Sequence, residues 1–246
     1  MTTTFEGDAK MNSPKRLARI AGALYLLVGI FGGFAQGYVE PRVYVAGNAA
    51  ATARNVVANA GLVHAGVVAE LFDSTIFVFL AMTLYVLLNH VHRSMARAML
   101  VLVALSAGIS CLNIVFEFEG LRVATDSAYA AALGGAGSNA LVMLLLDTQH
   151  HGVLIAQIFF GLWLAPLGFL MYRSGLFPKV LGIVLVVGTV CYLIDVLALF
   201  LVPDLGQHIA AFIVVPSAIA EVSTVLYLLV IGVRTVKGER TIPAAA

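Results

Sequence analysis

Charge is scarce in this sequence. Lys, Arg, Asp and Glu together make up 11% of its 246 residues, where a soluble domain carries about a quarter. So little charge cannot clothe a water-soluble fold of this size, and the 61% of apolar residues points to an integral membrane protein. Cysteine is scarcer still. The two cysteines, Cys111 and Cys191, lie in apolar segments far apart, which excludes a disulfide framework and a CxxC metal site. They read as small buried hydrophobes. A net charge of +1 with no basic face leaves nothing to grip phosphates, so no nucleic-acid partner is expected. No HExxH or comparable zinc signature is present, and nothing in the pattern names a cofactor. The first apolar run, beginning near Leu17, is long enough to span and has no clear cleavage site, so no cleavable signal peptide is expected.

What the sequence has in abundance is long apolar runs. Runs of about twenty residues are helix spans rather than barrel strands. They predict an all-α bundle of six transmembrane helices at 17–36, 62–88, 98–120, 151–172, 180–202 and 209–233. Residues 1–16 and 234–246 read as cytoplasmic tails flanking one membrane domain over 17–233. With six spans, one side receives eleven basic residues, from Lys10 to Arg240, and the other only Arg42, Arg54 and Arg122. That asymmetry places both termini in the cytoplasm, with the inner (plasma) membrane as the location.

A seventh span over 128–146 would flip everything downstream and leave six basic residues inside against eight outside, which argues against it. The LGGAG stretch at 133–137 is instead a break, and Ser138 is a plausible N-cap for a short outer helix over 139–147. The run from Asn48 to Asn59 predicts a second short outer helix.

Five acids stand in or at the edge of these spans: Glu70, Asp73, Glu117, Asp195 and Glu221. Apart from Arg19 near the start of the first span, no Lys or Arg accompanies them. An ionisable residue inside a membrane is costly and by default marks function. Helical spacing puts each acid on a face with other small or polar residues: Gly66, Glu70 and Asp73; Ser106, Ser110, Asn113 and Glu117; Gly188, Tyr192 and Asp195; Ser217, Glu221 and Thr224. Gln157 shares a face with His150, Gly161 and Gly168, and the first span has Gly22, Tyr25, Gly29, Gly32 and Gln36 close to one stripe. Such faces belong inside a bundle.

Counted at about 1.5 Å per residue, the acids lie in the outer half, with Glu221 near the midplane. The expected ligand-binding set is therefore Glu70, Asp73, Asn113, Glu117, Gln157, Tyr192, Asp195 and Glu221, lining a pocket open to the outside or the outer leaflet. The alternative for any one acid is hydrogen-bonding glue between helices, and Glu117 and Glu119 can simply be interfacial and paired with Arg122. His64, His150, His151 and His208 lie near outer helix ends and are weak metal candidates. Adjacent histidines on a helix point about 100° apart and do not easily share one ion.

One block is more specific. FFGLWLAPLGFLMYRSGLFPKVLGIVLVVGTVCYLID at 159–195 resembles the bacterial membrane family known as domain of unknown function 4386. ARIAGALYLLVGIFGGF at 18–34, AGNAAATARNVVAN at 46–59, the stretch 68–96 and EVSTVLYLLVIGVR at 221–234 agree with it. The resemblance implies a multi-pass membrane protein and no activity. It departs from the family pattern at His64, where an arginine is expected, and at Asn48, where Asp is frequent. If an arginine–acid pair organises the family site, His64 stands in the arginine's place. Arg173, Ser174, Gly175 and Pro178 read as a structural turn: a cation at a helix end, a glycine reversal, and proline opening the next helix at N1.

Three functions follow as expectations. The first is binding or transport of a cation, a basic small molecule or a lipid head group, favoured by acids without interior cations. The second is a membrane-embedded lipid hydrolase or transferase, with or without a metal. The third is a structural or regulatory subunit within the lipid bilayer, with the acids as packing groups.

Overall fold

The computed structural model describes residues 13–234, except the side chains of Gln207 and Ala211. Of the expected tails at 1–16 and 234–246, residues 1–12 and 235–246 lie outside the described residues. Every element described is helical. The elements are α1 (Pro14–Gly32), a π-helical segment (Gly33–Val39), the single turn α2 (Glu40–Val43), α3 (Ala49–Ala58), α4 (Ala60–Leu88), α5 (Arg93–Thr125), α6 (Ser127–Ser174), α7 (Lys179–Leu201) and α8 (Pro203–Val230). Among the described residues six helices are long and apolar enough to cross a membrane. Large apolar side chains such as Ile30, Phe72, Phe79, Leu112 and Phe212 stand exposed on their outer faces, as a lipid-facing surface requires.

Local chemistry sets the helix ends. Ser13 caps α1 by accepting from the Arg16 N–H, with Pro14 following it in the first turn. The helix thus begins three residues before the expected span, and Lys15 and Arg16 are helical rather than tail. Asn48 caps α3 by accepting from the Ala51 N–H at 3.0 Å. Asp126 closes α5 and caps α6 through the Ala128 N–H at 2.9 Å. Gly175 ends α6 at φ 70°, a left-handed turn only glycine adopts cheaply. Pro178 is the N-cap of α7 rather than its first residue, with ψ 132° holding it extended.

The helices form a closed ring in which α1 packs on α4, then α5, α6, α7 and α8 follow in order, and α8 returns to α1. Trp163 of α6 fills the centre at 0% exposure, edge-on to Tyr25 of α1 and Phe77 of α4 at 5.5 and 5.1 Å. Small residues allow the tightest crossings. A Cβ on Gly168 of α6 would lie 2.6 Å from the Gly182 carbonyl of α7.

At one end lie both ends of the described chain and the turn after α6: the Arg234 N–H donates to the Leu176 carbonyl at 2.9 Å, and Gly232 packs on Lys15. The opposite, distal end is taller. α5 has 33 residues, roughly 50 Å of helix. Ordinary tilts reach about 40°, too little to fit that length into a core about 30 Å thick. The distal parts of α5 and α6 therefore rise beyond the hydrocarbon. There they pack with α3 and the π segment around a second apolar core of Val39, Val56, Val63, Leu121 and Val142.

This cap corrects one expectation. Residues 139–147 are not a separate helix with Ser138 as its N-cap; they continue without interruption into the fourth span, and Ser138 lies inside α6. The chain breaks earlier, at Gly134 (φ 71°, ψ 162°), within the LGGAG stretch. Contacts along α5 override the local cap signal: the Asn113 amide donates to the Gln149 carbonyl at 2.5 Å and the Ser106 hydroxyl to the Ala156 carbonyl at 3.1 Å.

Candidate functional site

The eight expected ligand-binding residues do not converge on one pocket. They fall into separate groups along the bundle, and each group has its own chemistry.

Near the centre, Glu221 of α8 accepts two phenol protons. Tyr25 of α1 donates to Oε2 and Tyr192 of α7 to Oε1, both at 2.7 Å. Both carboxylate oxygens are thus engaged, and three helices are tied together. Tyr25 is 2% exposed. One turn of α8 from Glu221, the Ser217 hydroxyl donates to the Gly188 carbonyl of α7 at 3.2 Å. This cluster bonds three helices together through one phenol on each carboxylate oxygen.

Closer to the distal end, the Gln157 amide of α6 donates to Asp195 Oδ2 of α7 at 3.1 Å. Asp195 is 8% exposed, and its Oδ1 is buried with no partner among the described residues. Asp73 of α4 is alone: its buried Oδ1 has no partner either and rests against Gly32 of α1. Asn113 serves the α5–α6 contact and fits against Gly152, where any side chain would collide with its amide.

The distal group is different. Glu70 of α4 and Glu117 of α5 line a cavity of about 20 Å³ together with Glu40 of α2, Tyr44, Leu146 and Gln149. Three carboxylates from three elements face one small space, and no Lys or Arg lines it. Glu40 is paired with His150 at 2.8 Å between Oε1 and Nδ1. Tyr44 stacks on His150 with ring centres 5.3 Å apart and donates to Asp147 Oδ1 at 2.6 Å. Burial, then the Asp147 carboxylate that accepts its proton, hold the Tyr44 phenol above its ordinary range, so it stays a neutral donor. Glu70 and Glu117 have no hydrogen bond or ion pair among the described residues. Arg122 pairs with Glu119 at 3.3 Å and not with Glu117.

Glu40, Tyr44 and Gln149 are the members of this group that spacing does not single out, and the reason for Glu40 is local. The π segment widens the turn, so a period of 3.6 counted from Tyr25 fails across Gly33–Val39. Gln36, expected on the inner stripe, is exposed, while Ala35 and Val39 are buried and Glu40 follows them to the cavity. Its signal was that of an acid just past a predicted span end, followed by Pro41.

The histidines do not gather. His64, His151 and His208 are exposed, and each turns Nδ1 to the carbonyl four residues back. Among the described residues only His150 reaches an acid side chain. Among the described residues no group of three or more His, Cys, Asp or Glu side chains is arranged to hold a metal ion.

No curated protein and no solved structure matches the chain. A family profile does, over residues 20–232. That stretch takes in the first membrane helix from Ile20, the other five, the distal cap and every acid described above, and by it the chain belongs to the family described as domain of unknown function (DUF4386).

Proposed function

We propose that this protein binds a small inorganic cation in the distal cavity, as the recognition step of cation binding or transport across the inner membrane. The observation that carries the reading is the pair of unpartnered glutamates, Glu70 and Glu117, which share one cavity with Glu40 and no basic side chain. The three acids are not set as a ready-made metal site, so the reading rests on Glu70 and Glu117, whose carboxylate oxygens are the hard donors such cations prefer. A volume of about 20 Å³ suits an ion or a water and is too small for a basic organic molecule. The charge asymmetry supports termini in the cytoplasm and a cavity facing outward.

The test is thermal unfolding of the purified protein in a non-ionic detergent. Sodium, potassium, magnesium and calcium chlorides are compared with choline chloride at equal ionic strength. A bound cation at 100 times its dissociation constant adds about 2.7 kcal/mol, so at least one salt should raise Tm saturably. Glu70→Gln and Glu117→Gln should each remove the rise, and Glu119→Gln, outside the cavity, should keep it. If no cation outperforms choline, or if Glu70→Gln and Glu117→Gln respond like the parent, the cavity is not a cation site.

A further inference from the structure

Besides its three acids, the distal cavity is lined by Tyr44 and by Gln149 of α6. Gln149 is 8% exposed, yet its side-chain amide makes no hydrogen bond among the described residues. A polar side chain so deeply buried ordinarily has a partner. The backbone beneath it is fixed. Its carbonyl accepts from the Asn113 amide of α5 at 2.5 Å, and that amide lies against Gly152, where a side chain would collide with it. Leu146, one turn earlier, packs on Gly120 of α5. The α5–α6 contact therefore holds an unpartnered amide at the cavity wall, independently of the acids.

Three features narrow what can bind there. The first is charge. Glu40 is committed to His150 at 2.8 Å, which leaves Glu70 and Glu117 as the two carboxylates without a partner among the described residues. With no Lys or Arg in the lining, two negative charges are balanced by a divalent cation. A monovalent one leaves a charge uncompensated at close range, where little water screens it. The second feature is donor type. Every polar side chain of the lining offers oxygen, and no His, Cys or Met is among them, so the set suits hard cations rather than zinc or copper. The third is room. A cavity of about 20 Å³ holds an ion with about one water at most. Magnesium demands a regular octahedron and keeps several waters, whereas calcium accepts about six to eight oxygens in a flexible arrangement. The acids are not preset round one point, and a flexible shell is the kind that carboxylates drawn inward on their stems can complete.

We infer that the distal cavity takes calcium in preference to magnesium and sodium, with the Gln149 side-chain oxygen as a ligand beside Glu70 and Glu117. This rests on the cation reading of the cavity and adds to it the identity of the ion and a neutral donor. The amide oxygen stands on a backbone already fixed by α5, so it marks the point towards which the two carboxylates close.

The experiment is titration calorimetry of the whole protein in non-ionic detergent, with calcium, magnesium or sodium chloride as titrant and choline chloride holding the ionic strength. Calcium should bind saturably and at least about tenfold tighter than magnesium, and sodium at equal concentration should not displace it. Gln149→Leu keeps the bulk and removes the oxygen, and should weaken calcium binding about tenfold or more. Gln149→Glu puts an oxygen back and should recover it. Unfolding temperatures in choline chloride alone show whether each variant folds like the parent. Magnesium binding as tightly as calcium, or sodium displacing calcium, overturns the inference on the unaltered protein, without recourse to any variant. So does a Gln149→Leu protein that binds calcium like the parent, or a folded Gln149→Glu protein that does not bind it. In each of these cases a cation whose binding needs Glu70 and Glu117 leaves the cation reading standing. If no cation binds the unaltered protein, both fall.

Discussion

Replacing Glu221 with Leu removes the one acceptor shared by two phenols, and the structure says how much that should cost. Tyr25 and Tyr192 donate at 2.7 Å to different oxygens of the carboxyl. Tyr→Phe at either position keeps the ring packing, which for Tyr25 is the edge contact with Trp163 at 5.5 Å and for Tyr192 the edge contact with Phe160 at 5.5 Å. Each Tyr→Phe therefore removes one hydrogen bond and little else. Side-chain hydrogen bonds between membrane helices are worth about 0.6 kcal/mol on average and about 1.7 at most, and short bonds to a carboxyl belong towards the upper end. We expect about 1 kcal/mol for each. Glu221→Leu leaves two hydroxyls without an acceptor, and stranding a buried polar group costs about 1–3 kcal/mol. About 2–3 kcal/mol is expected for the single substitution. The triple variant Tyr25→Phe, Tyr192→Phe, Glu221→Leu should then be more stable than Glu221→Leu alone, because the stranded donors go with their acceptor. Trp163, the only tryptophan in the chain, sits against Tyr25 and reports unfolding by its fluorescence. Titration with SDS in mixed micelles gives the free energies. Should the Tyr→Phe costs simply add to that of Glu221→Leu, the three side chains do not act as a network, and the assignment of Glu221 to helix bonding falls.

Three further outcomes are expected. At the α6–α7 crossing, Gly168→Ala should destabilise by about 2 kcal/mol, since its Cβ would meet a backbone oxygen at 2.6 Å. Gly29→Ala, with nothing within 4 Å, should be neutral or stabilising by up to about 1 kcal/mol, and the same SDS titration separates the two. Asn48→Ala should cost about 1 kcal/mol through the lost α3 cap, seen as faster amide hydrogen exchange confined to Ala49–Ala58; unchanged exchange there would remove the cap from the account of the fold. A reporter fused after Ala246 should be active only when it is one that works in the cytoplasm, and activity of a periplasmic reporter at that point would overturn the orientation drawn from the basic residues.

The parts of the fold legible in the sequence are those set by short-range chemistry. Span number follows from apolar length, α3 from the run between Asn48 and Asn59, the break at Gly134 from its glycines. The polar seams were legible as faces: Ser106, Asn113 and Ser217 bond the neighbouring helix. Partners were not legible. Tyr25 and Glu221 stand 196 residues apart, and only the return of α8 to α1 brings them together. Two local signals misled for physical reasons. Ser138 looks like a cap, but the apolar continuity of α6 and its bonds to α5 carry the helix through it. Gln36 looks like part of an inner stripe, but the π segment changes the period and presents Glu40 instead.

The division between bonded and unbonded acids bears on where a ligand can act. A ligand that approached Glu221 would have to displace two phenol hydrogen bonds of 2.7 Å and leave both hydroxyls stranded in the centre of the bundle, a loss that its own contacts must first make good. Asp195 would give up one bond, to Gln157, and lies buried against a neighbouring helix. Glu70 and Glu117 have no such bond to lose, and they already face a shared cavity. Depth acts in the same direction. Oxygens near the distal end are reached without carrying charge to the midplane, whereas Glu221 is enclosed by Tyr25, Tyr192 and the helices that hold them. An intramembrane acid is thus not by itself a sign of a binding site in this protein. The acid that is central and shared by two phenols holds helices together, and the acids that are distal and unbonded among the described residues are where binding costs least.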